Sequence, residues 1–383
     1  MAHIRKRGKT YSYTIDIERN PISGRRKQIN KGGFTRKKDA EAAARKIELE
    51  MDENRFIEPS KEIFKTFMEN WFTTHYQNRI KQTTVTSRRY ILEKHLLHEN
   101  PFANKEISKI TTEDIDAFYN LKINGDYSSS YIRKMHQMLM QAFNQAVKWK
   151  KISGNPLVDA DPPPVKTGEM SIWSLEDVQA FLNTVKGDRH YLTFILAIYT
   201  GMRRGEILGL KWCDIDFERK CIHVNRSLAY IPKNGYIFTS LKTKKSKRQI
   251  PISQFVLNEL CTHKKLQEDW KELVGVLYEN QDLVICTNTG TIQDPRNVNR
   301  VMKRIVKSAN VINIRFHDIR HTHASILISE GVDIVKISNR LGHSNPKITY
   351  EFYAHLLPNL DNDVADILHN AIQGRSGGQM ADK

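Results

Sequence analysis

Four short groups in the second half of the chain carry side chains able to do chemistry: TGMRRGEILGL (200–210), SLKTKKSKRQIPI (240–252), HDIRHTHAS (317–325) and LGHSNPKITYEFYAHLLP (341–358). They are rich in permanent cations, imidazoles and tyrosine, and poor in carboxylates. Such a set suits an anionic substrate: guanidinium forks bind its oxygens, imidazole moves protons, and a hydroxyl attacks. Taken singly, each group also has an ordinary reading. Arg203 at i, i+3 from Glu206 makes a helix ion pair, Lys242 sits in a solvated basic hairpin, His317 is a core histidine, and Tyr353 is a buried tyrosine. A metal is a weaker alternative. His317 and His321 share a helix face and His323 is close by, yet HDIRH lacks the glutamate of HExxH and neighbouring arginines disfavour a cation. No carboxylate cluster for divalent cations and no P-loop glycine pattern stands out.

Composition bounds the partner. The chain has 383 residues, a length that suits two or three domains, and 39% hydrophobic residues, as in globular protein. Its net charge of +17 repels itself unless an anionic partner lies nearby. Nucleic acid is the commonest such partner, and an acidic membrane surface is second. No stretch is long and apolar enough to span a bilayer. The N-terminus, MAHIRKRGKTYSYT, lacks the apolar run of a secretory signal. Cys213, Cys221, Cys261 and Cys286 form no CxxC pair, so reduced thiols in a cytoplasmic setting are expected rather than structural zinc.

The elements that must position these groups fall in three stretches. Up to about Arg55, Tyr11, Tyr13, Ile15 and Ile17 alternate as in a strand, NPISGR (20–25) turns, KQINKGGF makes a second strand, and Thr35 caps a helix through DAEAAARKIELEM. This small sheet with one helix is basic. Arg5, Lys6, Arg7, Arg25, Arg26 and Lys27, interleaved with Tyr11 and Tyr13, are expected to meet phosphates and a groove. A helical stretch follows to Asp161. FKTFMENWFTTHY has helical apolar spacing, Thr111-x-x-Asp114 is a capping box, and Ile132, Met135, Leu139, Ala142, Phe143 and Ala146 form one core stripe. Arg88, Arg89, Arg133 and Lys134 flank these faces as candidate backbone contacts. DADPPPVKTGEM (159–170) breaks the pattern with three prolines and reads as a connector. Beyond it Ser174-x-x-Asp177 caps a helix, YLTFILAIYTG and RRGEILGL continue as helices, and strands follow around CIHVNRSLAYI and GYIFTSLKTKKSKRQIPI, turned at Asn234-Gly235. Helices return after them. The tail GRSGGQMADK is expected to be disordered.

Together, and in order, the four groups resemble the tyrosine recombinase family, also called the phage integrase family. TG-x-R-x-GE places Arg203 at the family's first arginine, and KTK places Lys242 at the hairpin lysine. H-x-x-R gives His317 and Arg320, and LGH gives His343. The tyrosine expected about ten residues later is Tyr353, in Tyr-Ala-His-Leu-Leu-Pro, rather than Tyr350 one helical turn earlier. The N-terminal and middle stretches resemble the three-part integrases of temperate phages and integrative conjugative elements.

The resemblance implies a multi-domain chain, mainly α with small β-sheets: an α+β arm-binding module (1–57), a helical core-binding, SAM-like domain (58–162), a linker (163–170), a mixed α+β catalytic domain (171–374) and a tail (375–383). It implies site-specific recombination of duplex DNA at core-type and arm-type sites, integrating and excising a mobile element in a bacterial cytoplasm. Four protomers are expected on DNA, helped by an excisionase and a DNA-bending host protein. The apolar stripe of NLDNDVADILHNAI (359–372) is expected on a neighbouring protomer.

Residue chemistry agrees with the roles. Arg203 and Arg320 suit the non-bridging oxygens of a phosphodiester, with His343 adding a hydrogen bond and Glu206 orienting Arg203. His317 suits the base that takes the tyrosine proton, and Lys242 the acid that protonates the leaving 5′ oxygen. Lys244 is a further DNA contact. The product is a 3′-phosphotyrosine that conserves the bond energy, so no cofactor, metal or ATP is expected. A non-catalytic DNA-binding protein on this scaffold competes poorly, because all six expected positions are filled. A metal-dependent nuclease lacks its carboxylates here. A type IB topoisomerase shares the chemistry, but the arm-like module argues against it.

Overall fold

A computed structural model describes residues 2–19, 26–52, 56–165, 171–231, 234–241, 246–343, 345–353 and 369. Lys242, Lys244, Arg25 and the 359–372 stripe (all but His369), as well as the tail, lie outside the described residues, as do the side chains of Arg26, Lys27 and Tyr353. The chain divides into two compact units, 1–167 and 168–383. As expected, the fold is mainly α with small antiparallel sheets. No helix among the described residues is long and apolar enough to cross a membrane.

The first unit opens with a three-stranded antiparallel sheet, β1 (His3–Arg7), β2 (Thr10–Arg19) and β3 (Arg26–Phe34), in that order. Helix α1 (Lys37–Asp52) packs on it through Ala40 and Ala44. It begins two residues after Thr35, so Arg36 rather than Thr35 stands at the cap position. Tyr13 is corrected here: it is 1% exposed, packed with Ile15, Phe34 and Ala44 in the module's core, and does not face a groove. Tyr11 and Tyr13 lie two residues apart on β2, but Tyr13 packs into the core with Ala44 of α1. Tyr11 stays half-buried under the Lys6 ammonium, and Arg5, Lys6 and Arg7 are exposed along β1.

The helical part holds α2 (Phe64–Trp71), α3 (Gln82–Tyr90), α4 (Thr112–Asn124) and α5 (Ser129–Lys148), with π-type turns Phe72–Tyr76 and Ile91–His98 prolonging α2 and α3. The α5 stripe is buried throughout, and Thr111 and Asp114 form the capping box of α4. Arg133 and Lys134 are exposed, and the Arg133 Nε donates to the Pro163 carbonyl. Arg88 donates to the Lys134 carbonyl, and Arg89 to Gln77.

The second unit begins with α6 (Leu175–Val185), capped by Ser174 and Asp177, then α7 (Tyr191–Thr200) and the short α8 (Arg204–Leu208). A three-stranded sheet joins β4 (Ile215–Asp216), β5 (Cys221–Val224) and β8 (Arg248–Pro251). Between β5 and β8 the chain makes a separate hairpin, β6 (Arg226–Ile231) and β7 (Gly235–Ser240). Helices α9 (Gln254–Val274), α10 (Pro295–Ala309), α11 (Asp318–Ser329), α12 (Ile334–Leu341) and α13 (Pro346–Tyr353) complete it. One core spans α6 to α11, with Phe181, Phe194, Ile195, Ile222 and Ile250 at its centre.

Candidate active site

Three segments converge through a single guanidinium. Helix α7 ends at Gly201 in the left-handed region (φ 64°), where a Cβ would fall 2.7 Å from both His323 and Leu341 side-chain atoms. Only glycine lets the chain turn there. Its carbonyl accepts from Arg320 Nη1 at 2.8 Å, while Arg320 Nη2 donates to the Leu341 carbonyl. Arg320, 3% exposed, therefore ties the α7–α8 turn to the end of α12.

Arg203, two residues past Gly201, stands at the N-cap of α8. The buried Glu206 carboxylate accepts the Arg203 backbone N–H at 2.9 Å and its Nη1 at 2.8 Å. The ion pair expected from their spacing is thus present, and it fixes a guanidinium that keeps 38% of its side chain exposed. A second cation, Arg248 on β8, donates to both Glu206 oxygens, at 2.9 and 3.3 Å. Burial pushes the Glu206 carboxyl up, but bonds to and charge from Arg248, with Arg203, more than offset this and hold it below the usual carboxylate range.

His317 precedes α11 and lies one turn before His321, their rings edge-to-face at 5.4 Å. His317 keeps exposed ring surface. Partial desolvation, then the charges of Arg320 and Arg203, lower its pKa, so it is neutral and able to accept a proton near pH 7. His343 follows the Gly342 cap of α12; its Nδ1 is shared with Thr349 Oγ1 at 2.8 Å. Burial and then Arg320, Arg203, His321 and Arg248 push it down to about 4. Tyr353 lies on α13, within the described span Pro346–Tyr353. Arg203, Glu206, His317, Arg320 and His343 are thereby brought into one electrostatic neighbourhood.

His323 has a different part. Its Nδ1 lies 2.8 Å from the Ile198 carbonyl and its Nε2 accepts from Arg340 at 3.2 Å, so it is a core histidine. Among the described residues one group of metal-ligand types occurs, Asp216, Cys221 and His223, with atoms within 4.8 Å of one another. Asp216 there also accepts the Arg219 N–H, and none of the three belongs to the arginine–histidine site. Sequence reasoning missed Arg248. Its signal was alternation with the buried Ile250 within a run read as solvated.

The depressed histidines predict acid lability. Burial, with Arg340 nearby, lowers His323 to about 4, and burial with His317 lowers His321 to about 4. An unfolded histidine titrates near 6.5, so the unfolded chain takes protons first. The stability contributed at neutral pH is lost as pH falls from there toward 4. The melting temperature should drop as pH falls from about 6.5 toward 4; a flat profile would mean these rings titrate normally in the fold.

Comparison with known proteins gives the family. Residues 174–359 match the phage integrase family, residues 3–51 an arm DNA-binding domain, and residues 63–123 the N-terminal SAM-like domain of phage integrases. The chain is 28% identical over 364 residues to the ICEBs1 integrase of Bacillus subtilis (strain 168), covering 94% of this chain and 97% of that one. It is 32% identical over 282 residues to a XerC-like tyrosine recombinase of Caldanaerobacter subterraneus subsp. tengcongensis, covering 69% and 72%. Its fold is similar to the Tn1549 transposon integrase solved with transposon right end DNA (TM-score 0.69, 21% identity, 81% of this chain and 100% of that one). It is also similar to the lambda integrase tetramer bound to a Holliday junction (TM-score 0.54, 18% identity, 92% and 94%). The chain belongs to the phage integrase family of tyrosine recombinases. It is a DNA strand-transferring enzyme that recombines at specific sites to integrate and excise a mobile element.

Proposed function

We propose that Tyr353 attacks the scissile phosphodiester, forming a 3′-phosphotyrosine and releasing a 5′ hydroxyl. Arg203 and Arg320 hold the non-bridging oxygens, and His343 adds a donor from the ring nitrogen not shared with Thr349. His317 takes the phenolic proton, and Lys242 returns one to the leaving oxygen. Ligation is the reverse, with the 5′ hydroxyl of the partner strand as nucleophile. What carries the reading is the pair of arginines set around Gly201 with a neutral histidine beside them. Fixed donors aimed at developing phosphorane charge are the largest catalytic term available to such a site. The test is a nicked attachment site that traps the adduct, run in EDTA and without ATP. Cleavage that needs Mg²⁺ and leaves no adduct would overturn it.

On this reading residues 1–57 hold arm-type DNA, 58–162 and 171–374 hold core-type duplex from two sides, and 163–170 links them, with 375–383 a tail. The active form is a tetramer on DNA in a bacterial cytoplasm, with an excisionase and a host DNA-bending protein setting direction. The 359–372 stripe docks on a neighbouring protomer. An apolar cavity of about 450 Å³ lined by Leu175, Ile198, Ile326, Leu327, Val332 and Ile337 offers a place for it.

Deleting residues up to Arg55 should abolish recombination of full attachment sites while leaving cleavage of a short core site largely intact. The exposed Arg5, Lys6 and Arg7 on β1 motivate this. Equal loss of both activities would sink the two-site idea. Arm binding should also weaken steeply with salt, because phosphate contacts release counterions.

A further inference from the structure

Arg248 is 5% exposed, on the inward face of β8 two residues before Ile250. Every donor nitrogen of its guanidinium is engaged. Nη2 and Nη1 meet the two Glu206 oxygens, Nη1 also meets the Ser246 carbonyl at 3.2 Å, and Nε donates to the Arg340 carbonyl at 2.7 Å. The last bond reaches the final turn of α12, three residues before His343. The strand that follows the Lys242 segment is therefore fastened both to the carboxylate behind Arg203 and to the turn carrying His343. Charge matters as much as geometry. A buried Glu206 facing Arg203 alone would cancel the charge that Arg203 offers a phosphate. With Arg248 on its other side, the Arg203–Glu206–Arg248 group keeps one net positive charge, exposed at Arg203.

We infer that Arg248 is a positioning residue for the recombination chemistry: it neutralises and orients Glu206 from behind, so that Arg203 meets the scissile phosphate with its full charge and in one orientation. The inference rests on the proposed role of Arg203.

The test uses the full chain and single-turnover cleavage of a nicked core site. One substrate carries a normal scissile phosphodiester, the other an uncharged methylphosphonate at that position. Arg248→Met should lose about 100-fold on the phosphodiester, as for removal of an oxyanion donor. On the methylphosphonate, neutral in its ground state and one negative charge poorer in the phosphorane, the loss should be much smaller. Glu206→Gln/Arg248→Met removes both buried charges and should recover most of the phosphodiester rate. Arg248→Lys retains the charge and guards against a misfolded methionine variant. One ammonium cannot span both Glu206 oxygens and the Arg340 carbonyl, so its rate at saturating DNA should fall about tenfold with DNA affinity unchanged. Equal losses on the two substrates without recovery in the double variant, or an unchanged rate in Arg248→Lys, would reduce Arg248 to a purely structural tie. No adduct from the native chain on the phosphodiester would instead remove the underlying reading of the site.

Discussion

Tyr353→Phe is expected to bind core-site DNA and assemble on it as the native chain does, and to form no covalent adduct at all. The change removes one oxygen and leaves a ring of nearly the same size, so the loss falls on the chemistry alone. A tyrosine hydroxyl with an ordinary pKa near 10 is a weak nucleophile at neutral pH. On the proposed mechanism the two arginines and the neutral His317 make it competent. Tyr350→Phe is the control. Tyr350 lies three residues earlier, about 60° around the helix, and is 54% exposed. Its variant should keep covalent capture. The readout is a denaturing gel of labelled nicked DNA followed by peptide mapping of the trapped product. An adduct that persists in Tyr353→Phe and disappears in Tyr350→Phe would transfer the nucleophile to Tyr350.

Arg203→Lys should cleave about 100- to 1000-fold more slowly, the range seen when a donor aimed at transition-state charge is removed. Formal charge is retained, but an ammonium is a single point, and here it would have to choose between Glu206 and the phosphate. The local fold should survive, because the backbone N–H of residue 203 still reaches the Glu206 carboxylate that caps α8. DNA binding and melting temperature are therefore expected to change little while the single-turnover rate collapses at saturating DNA. A native rate would leave Arg203 with nothing beyond its ion pair to Glu206.

Much of this was legible in the residues because the signals are local. The α5 stripe and the two capping boxes involve spacings of a few residues, and each appears in the structure as read. Arg203 with Glu206, and His317 with Arg320, are likewise short-range pairs, and the family pattern joined them across the chain. What escaped depends on partners far away in sequence. Arg248 looked like one more cation in a basic run, and only its meeting with a carboxylate 42 residues earlier makes it a buried group. Tyr13 sat in a basic strand and suggested a groove contact; its burial is decided by α1, which packs Ala44 against it. Strand β1 has no alternation of its own and exists because β2 pairs with it. Its charge predicts exposure correctly, but not its conformation.

The pairing of β5 with β8 has a consequence for how this enzyme can vary. Everything between Val224 and Arg248, including the β6–β7 hairpin, is one loop closed by that short ladder. The entropy of closing a loop grows only with the logarithm of its length, so doubling it costs about 0.6 kcal/mol. At its base the loop is gripped firmly. Asn225 and Arg226 bind the buried Asp214, and a Cβ on Gly205 would collide with Ser227 Oγ at 2.5 Å and the Leu228 carbonyl at 2.7 Å. At its far end, around Ile231 and Gly235, the strands pair with each other, and Tyr236 bonds to Asp294 and Arg296 at the start of α10. Lys242 follows the base, two residues after Ser240. Residues inserted beyond these paired ends would therefore lengthen the hairpin at little thermodynamic cost, so its tip can vary while the base that precedes the Lys242 segment stays as it is.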